Sequence, residues 1–110
     1  MMYKLGESNI HGHGLIATEN IKANTDIGLS HIGIGLINNK VVAGEATDIG
    51  NFQNHSNSPN CVNKIVGKDL HMFTTKHIKG GDELVINFYE NTDICVNIEN
   101  SENWNKSQFL

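Results

Sequence analysis

Arginine is absent from this chain of 110 residues: all eight basic residues are lysine, set against 12 acids for a net charge of −4. No basic run occurs either, and the two absences together argue against nucleic-acid binding as the main task. The small negative charge is mildly favourable for a basic partner such as a lysine-bearing peptide. No apolar run approaches the roughly 18 residues that a membrane-crossing helix needs, and no signal peptide is expected. The expectation is an intracellular, cytoplasmic protein with no membrane partner. Cysteine is equally sparse. Cys61 and Cys95 are too few for a disulfide framework, and in a reducing compartment they are expected as free thiols. The 16 Asn and 13 Ile fit an AT-rich coding sequence rather than a chemical requirement.

Helical periodicity is also missing until the last residues. What recurs is short β-rich segments broken by Gly, Asn and Asp, with strands expected near 2–5, 15–18, 27–32, 34–37, 40–43, 62–66, 70–75 and 84–89. The last of these, "ELVINFY" (83–89), alternates Leu84, Ile86 and Phe88 with Val85, Asn87 and Tyr89, so its two aromatics belong to opposite faces. Two segments echo each other, "ENIKANTDIG" (19–28) and "KHIKGGDELV" (76–85), as a repeated turn solution. Residues 50–61, "GNFQNHSNSPNC", are too polar for a central strand and too rich in turn formers for a helix. The chain reads as a mainly β domain over 1–92. A tail over 93–110, with a short helix after Ser101, docks through Trp104 and Phe109.

Two constellations bear on chemistry. In "IHGHGLIAT" (10–18), Gly12 and Gly14 flank His13 at the mouth of a strand, where glycine permits positive φ and close approach of a ligand. The third glycine and following helix of a dinucleotide fingerprint are absent. In "NHSNSPNC" (54–61), dense polar groups need partners, because each buried unsatisfied one costs about 1–3 kcal/mol. Asn54 and His55 can both donate and accept, which suits a purine-like edge. A zinc site from His11, His13, His55 and Cys61 lacks the usual ligand spacing, so no metal is expected. Ser56 beside His55 has neither a nucleophile elbow nor an orienting acid.

Taken in order along the chain, these pieces resemble the SET-domain protein lysine methyltransferases. The family pattern runs roughly G-x-G-L-F-A, then R-F-x-N-H-S-x-x-P-N, then G-E-E-L-x-x-x-Y. Gly12, Gly14, Leu15 and Ala17 match the first element, and Phe52, Asn54, His55, Ser56, Pro59 and Asn60 the second. Gly81, Glu83 and Leu84 match the third, with Asp82 a conservative replacement. The resemblance covers about residues 3–90, and its middle element is the most specific.

The resemblance implies a SET fold: short strands in a β-clip, little helix, and the last motif threaded beneath the loop of the middle one in a pseudoknot. It implies S-adenosylmethionine as cofactor, against Gly12, His13, Gly14 and Leu15, with Asn54 and the main chain of His55 at its amino group and adenine, and Trp104 of the tail covering the adenine. It implies a protein or peptide partner whose lysine enters a channel lined by Phe52, Phe88 and Tyr89. Small members pair to complete a substrate groove, which allows a homodimer. Three departures stand out. Aligned without a gap, the family's catalytic tyrosine falls on Phe88, with Tyr89 next and Tyr3 the only other tyrosine. Asn51 stands where the family has arginine, and the insert between residues 33 and 49 is very short. The expected activity is methyl transfer to a protein lysine, with Phe88 or Tyr89 at the catalytic position. The rival is a SET-like binding module of weak or no activity. The small size and AT-rich signature fit a virus or a bacterium, and a viral origin would place the protein in the host cell.

Overall fold

Aliphatic and β-branched residues in runs of four to seven, separated by Gly, Asn and Asp, leave the backbone few ways to satisfy its hydrogen bonds other than strands. The computed structural model describes residues 1–37, 40–88 and 94–95 and bears this out. In chain order the elements are β1 (Tyr3–Glu7), β2 (His13–Ala17), β3 (Asp26–Ile37), β4 (Lys40–Ala46), α1 (Asp48–Asn51), β5 (Asn54–His55), β6 (Cys61–Val66), β7 (Asp69–Thr74), β8 (Glu83–Ile86) and β9 (Ile94–Cys95). They form two sheets, one ordered β1-β2-β8-β5 and the other β6-β7-β3-β4-β9.

The outcome differs from the sequence reading in a few places. The two strands expected at 27–32 and 34–37 are one, because Gly33 takes φ +79° and turns the backbone without ending it. Along β3 the register against β7 shifts twice, between Asp26 and Gly28 and between Leu29 and His31, so the strand curls. The strand expected at 84–89 ends at Ile86. The polar stretch 50–61 holds the end of a one-turn helix and the two-residue strand β5 at the edge of its sheet. An edge position suits its polarity, since only one side of β5 needs a partner. The helix expected after Ser101 lies outside the described residues.

The echoing segments lie against each other. Ile21 N–H donates to Ile78 O at 2.9 Å, and Ile78 N–H returns the bond to Ile21 O at 2.8 Å. Both isoleucines are buried and join the core, which also takes Leu15 and Ala17 from β2, Ile27 from β3, Met72 from β7, Cys61 from β6, Ile49 from α1, and Leu84 and Ile86 from β8. The core therefore draws on both sheets, and β8 is buried along its length from Leu84 to Ile86. Cys61 is a free thiol pushed up to about 12 by burial, which keeps it protonated and unreactive.

One polar side chain breaks the apolar pattern. His31 on β3 is fully buried; its Nδ1 meets Ser30 Oγ at 3.0 Å, and its Nε2 has no hydrogen-bond partner among the described residues. It faces Gly50 of α1, where an added Cβ would come within 2.9 Å of Nε2 and strike the Ser30 carbonyl oxygen. Burial depresses the His31 pKa from 6.5 to about 4. The unfolded chain therefore binds a proton that the folded chain refuses, and stability present above pH 6.5 is lost as the pH falls towards 4. Denaturant titrations at pH 7 and pH 4.5 should show a loss on the order of 3 kcal/mol from this group, complete only near pH 4. His31→Leu should flatten that part of the slope, and an unchanged slope would show that His31 is not its source.

Candidate functional site

The three motif segments meet at one carboxylate. Glu83 opens β8, which lies between β2 and β5. Its Oε1 accepts from Ser8 Oγ at 2.7 Å and its Oε2 from Asn54 Nδ2 at 2.8 Å. Gly14, on the neighbouring strand, makes room for this. A Cβ there would strike Glu83 Oε2, sit 2.9 Å from Cδ and lie 3.1 Å from Asn54 Nδ2. The bare α-carbon of Gly14 is thus a packing requirement of the Glu83–Asn54 bond. Gly12 differs: it takes φ +50°, and a Cβ there would meet nothing within 4 Å among the described residues.

Asn54 is 1% exposed, yet its amide is fully employed on one side. Nδ2 donates towards Glu83 Oε2, Ser8 Oγ at 3.0 Å, and the carbonyl oxygens of His11 at 3.1 Å and His13 at 3.4 Å. Asn60 works on the other edge of the same strand. Its Nδ2 donates to Glu83 O and its Oδ1 accepts from Val85 N, each at 2.8 Å, so one side chain pairs with β8 as a strand neighbour would. Backbone bonds from Ser56 N to Ile86 O and from Asn60 N to Val85 O complete the lacing of the polar loop to β8. Beneath it, Gln53 and Asn63 exchange two amide bonds of 2.7 and 3.0 Å in the interior.

His55 ties the loop to the end of "ELVINFY". Its Nδ1 accepts from Phe88 N–H at 3.0 Å, so Nε2 carries the proton and faces Asn57 Oδ1 at 3.1 Å. The His55 and Phe88 rings lie 5.4 Å apart, tilted by 46°. Phe88 and Phe52 both pack, half-buried, against the main core, as does Tyr3. The pKa of Tyr3 is raised by burial first and by the Asp48 carboxylate second, so its phenol stays protonated.

The structure thus brings Gly12, His13, Gly14, Asn54 and His55 together and sets Phe88 beside His55. Leu15 is wholly in the core, which leaves only its backbone for a ligand. His11 and His13 are exposed while Cys61 is buried, and no group of three or more metal-ligating side chains occurs among the described residues. Phe88 shares the core face with Leu84 and Ile86, as the alternation required. The register of β8 against β5 runs without a bulge through Ile86. Tyr89, Trp104 and Phe109 lie outside the described residues, while β9, within the stretch read as the tail, pairs in parallel with β4. Sequence reading missed Ser8 and treated Glu83 as a motif position only. Ser8 carries a usable signal, for its hydroxyl accepts from Ile10 N and His11 N as turn-forming serines do.

Comparison with known proteins agrees with this geometry. The family model described as the SET domain matches residues 34–89, just over half of the chain. Among solved structures the chain is similar to a crystal structure of a candidate histone methyltransferase from Plasmodium falciparum. That likeness has a TM-score of 0.61 and 20% identity, and covers 83% of this chain and 96% of that one. At that identity it speaks for the fold. No curated protein matches the chain.

Gly14→Ala should force Glu83 and Asn54 apart and destabilise the domain by about 1–3 kcal/mol. Thermal unfolding measures this. A variant as stable as the parent would mean that the carboxylate has room to retreat.

Proposed function

The chain belongs to the SET-domain family, and from that premise we propose that it is an S-adenosylmethionine-dependent methyltransferase acting on a lysine side chain of a protein. The observation that carries this reading is the state of Asn54: its two N–H groups face four internal acceptors beside Gly14, and its oxygen takes no hydrogen bond among the described residues. A free acceptor next to an open glycine loop fits the amino-acid end of the cofactor. The backbone from Gly12 to Leu15, with His13 between the glycines, would hold that end. Asn54 and the main chain of His55 would meet the amino group and adenine, and Trp104 of the tail would cover the adenine. When bound, the cofactor supplies a methyl group on a sulfonium sulfur, open to in-line displacement by an amine.

The protein's own task is then alignment and dryness. Holding the amine, the methyl carbon and the sulfur in line supplies most of such a rate enhancement. The lysine must arrive neutral although its reference pKa is near 10.4. Apolar walls from Phe52 and Phe88, with Tyr89, would disfavour its charged form. The lacing of residues 54–60 onto β8 supports a threaded arrangement that fixes Phe88 relative to the cofactor loop. The similarity to a candidate histone methyltransferase supports a protein as the substrate.

A second reading, a SET-like module that binds but transfers poorly, draws on one observation. Phe88 keeps the wall and lacks the hydroxyl that orients the amine, a bond worth about 0.5–1.5 kcal/mol, or up to roughly tenfold in rate. Two experiments separate the readings. Calorimetry should show S-adenosylmethionine binding in the micromolar range, and mass spectrometry of lysate proteins incubated with labelled cofactor should show methyl-lysine; absence of heat with folded protein sinks the enzyme. Tyr89→Phe should cut turnover about tenfold if Tyr89 supplies the hydroxyl. In that case Phe88→Tyr should not raise it, whereas a gain in Phe88→Tyr would identify position 88 as the weakened catalytic position.

A further inference from the structure

We propose that Glu83 is a positioning residue for the cofactor: it fixes, through Asn54, which end of one amide faces the ligand's α-ammonium group. This rests on the methyltransferase reading above. The four groups around Asn54 Nδ2 are all acceptors: Glu83 Oε2 at 2.8 Å, Ser8 Oγ at 3.0 Å, His11 O at 3.1 Å and His13 O at 3.4 Å. Ser8 belongs among them because its own proton goes to Glu83 Oε1 at 2.7 Å. Only the nitrogen end of the amide satisfies such a ring, so the oxygen end is turned away from it. That oxygen accepts no bond among the described residues.

The charge has the right sign and no other outlet. No lysine or histidine forms an ion pair with Glu83 among the described residues, where the one such pair joins His71 and Asp26. A carboxylate hydrogen-bonded to an amide N–H polarises the amide and makes its carbonyl oxygen a stronger acceptor. An ammonium group carries donors and no acceptor, so it is matched by the oxygen of Asn54 and repelled by the nitrogen. Glu83 thus holds the amide in the one orientation that discriminates for a cationic amine. It does so from a position separated from the ligand by Asn54 itself.

Glu83→Gln removes this control without removing bulk. The new NH₂ must face either Asn54 Nδ2 or Ser8 Oγ. Against Asn54 it sets donor to donor, relieved only by turning the Asn54 nitrogen towards the ligand. Against Ser8 it meets an oxygen that already accepts from Ile10 N, His11 N and Asn54 Nδ2. In the first case the Asn54 oxygen is set against the His11 and His13 carbonyls, and in the second the amide keeps its sense but loses the charge that polarises it.

The test is a ratio of affinities, which a role in stability alone would leave untouched. The full chain is titrated with S-adenosylhomocysteine and with its deaminated analogue, which keeps the carboxylate, thioether and adenosine. The unmodified protein should prefer the amine by roughly tenfold or more. In Glu83→Gln, folded as judged by circular dichroism, the preference should fall by roughly threefold or more, chiefly through weaker binding of the amine. Glu83→Asp keeps the charge but withdraws it from Asn54, and should behave likewise. If neither folds, Ser8→Ala in the surface loop loosens the carboxylate and should at least halve the preference. Weakening of both ligands by the same factor, with the preference intact, overturns the proposal while sparing the methyltransferase reading. Failure of the unmodified protein to bind either ligand overturns both.

Discussion

Glu83 and Asn54, 2.8 Å apart, stand where the glycine loop, the polar loop and the last strand of the small sheet come together. Half-buried charge is expensive unless it is hydrogen-bonded, and the surroundings are arranged around that requirement. Ser8 turns its hydroxyl to one oxygen, Asn54 its amide to the other, and Gly14 withholds a side chain so that both can approach. Once this contact is made, the carbonyls of His11 and His13 have a donor and the loop between β1 and β2 is closed from within. The same contact lies where the glycine strand and β5 both pair with β8.

The polar loop owes its order to backbone that it completes. Asn60 supplies β8 with a donor and an acceptor where no further strand lies among the described residues, and His55 accepts the amide of Phe88 beyond the strand's end. Unpaired amides on a buried strand would each cost about 1–3 kcal/mol, so these side chains do the work of a ladder. The arrangement positions Phe88 against both His55 and the core, and couples the chemistry expected at the end of β8 to the integrity of the loop.

Elsewhere the fold uses small residues where two elements press together. Gly50 lets α1 lie on β3 over the ring of His31, and Thr47 anchors the helix by donating to Leu29 O at 2.6 Å. The paired isoleucines Ile21 and Ile78 join the two echoing turns at the centre of the core. The two similar segments are thus hydrogen-bonded to each other through their isoleucines.

Much of this could be read from the chain alone. Alternation in "ELVINFY" put Leu84, Ile86 and Phe88 on one face, and that face is the core; the eight expected strands all exist, two of them fused. The order of the glycine, asparagine–histidine and acidic motifs pointed to the family. Local patterns determine such features because strand periodicity and turn chemistry act over a few residues. What the sequence could not disclose is which polar atoms meet. Ser8 and Glu83 are 75 residues apart, Asn54 and Glu83 are 29 apart, and nothing in the spacing says that one carboxylate serves both partners or that Gly14 is bare for its sake. His31, an unremarkable residue in a strand, became a buried, proton-refusing ring only because α1 closed over it. Composition and periodicity determined the strands. The direction of the Asn54 amide, and with it the character of the site, was decided by acceptors that only the packed sheets bring together.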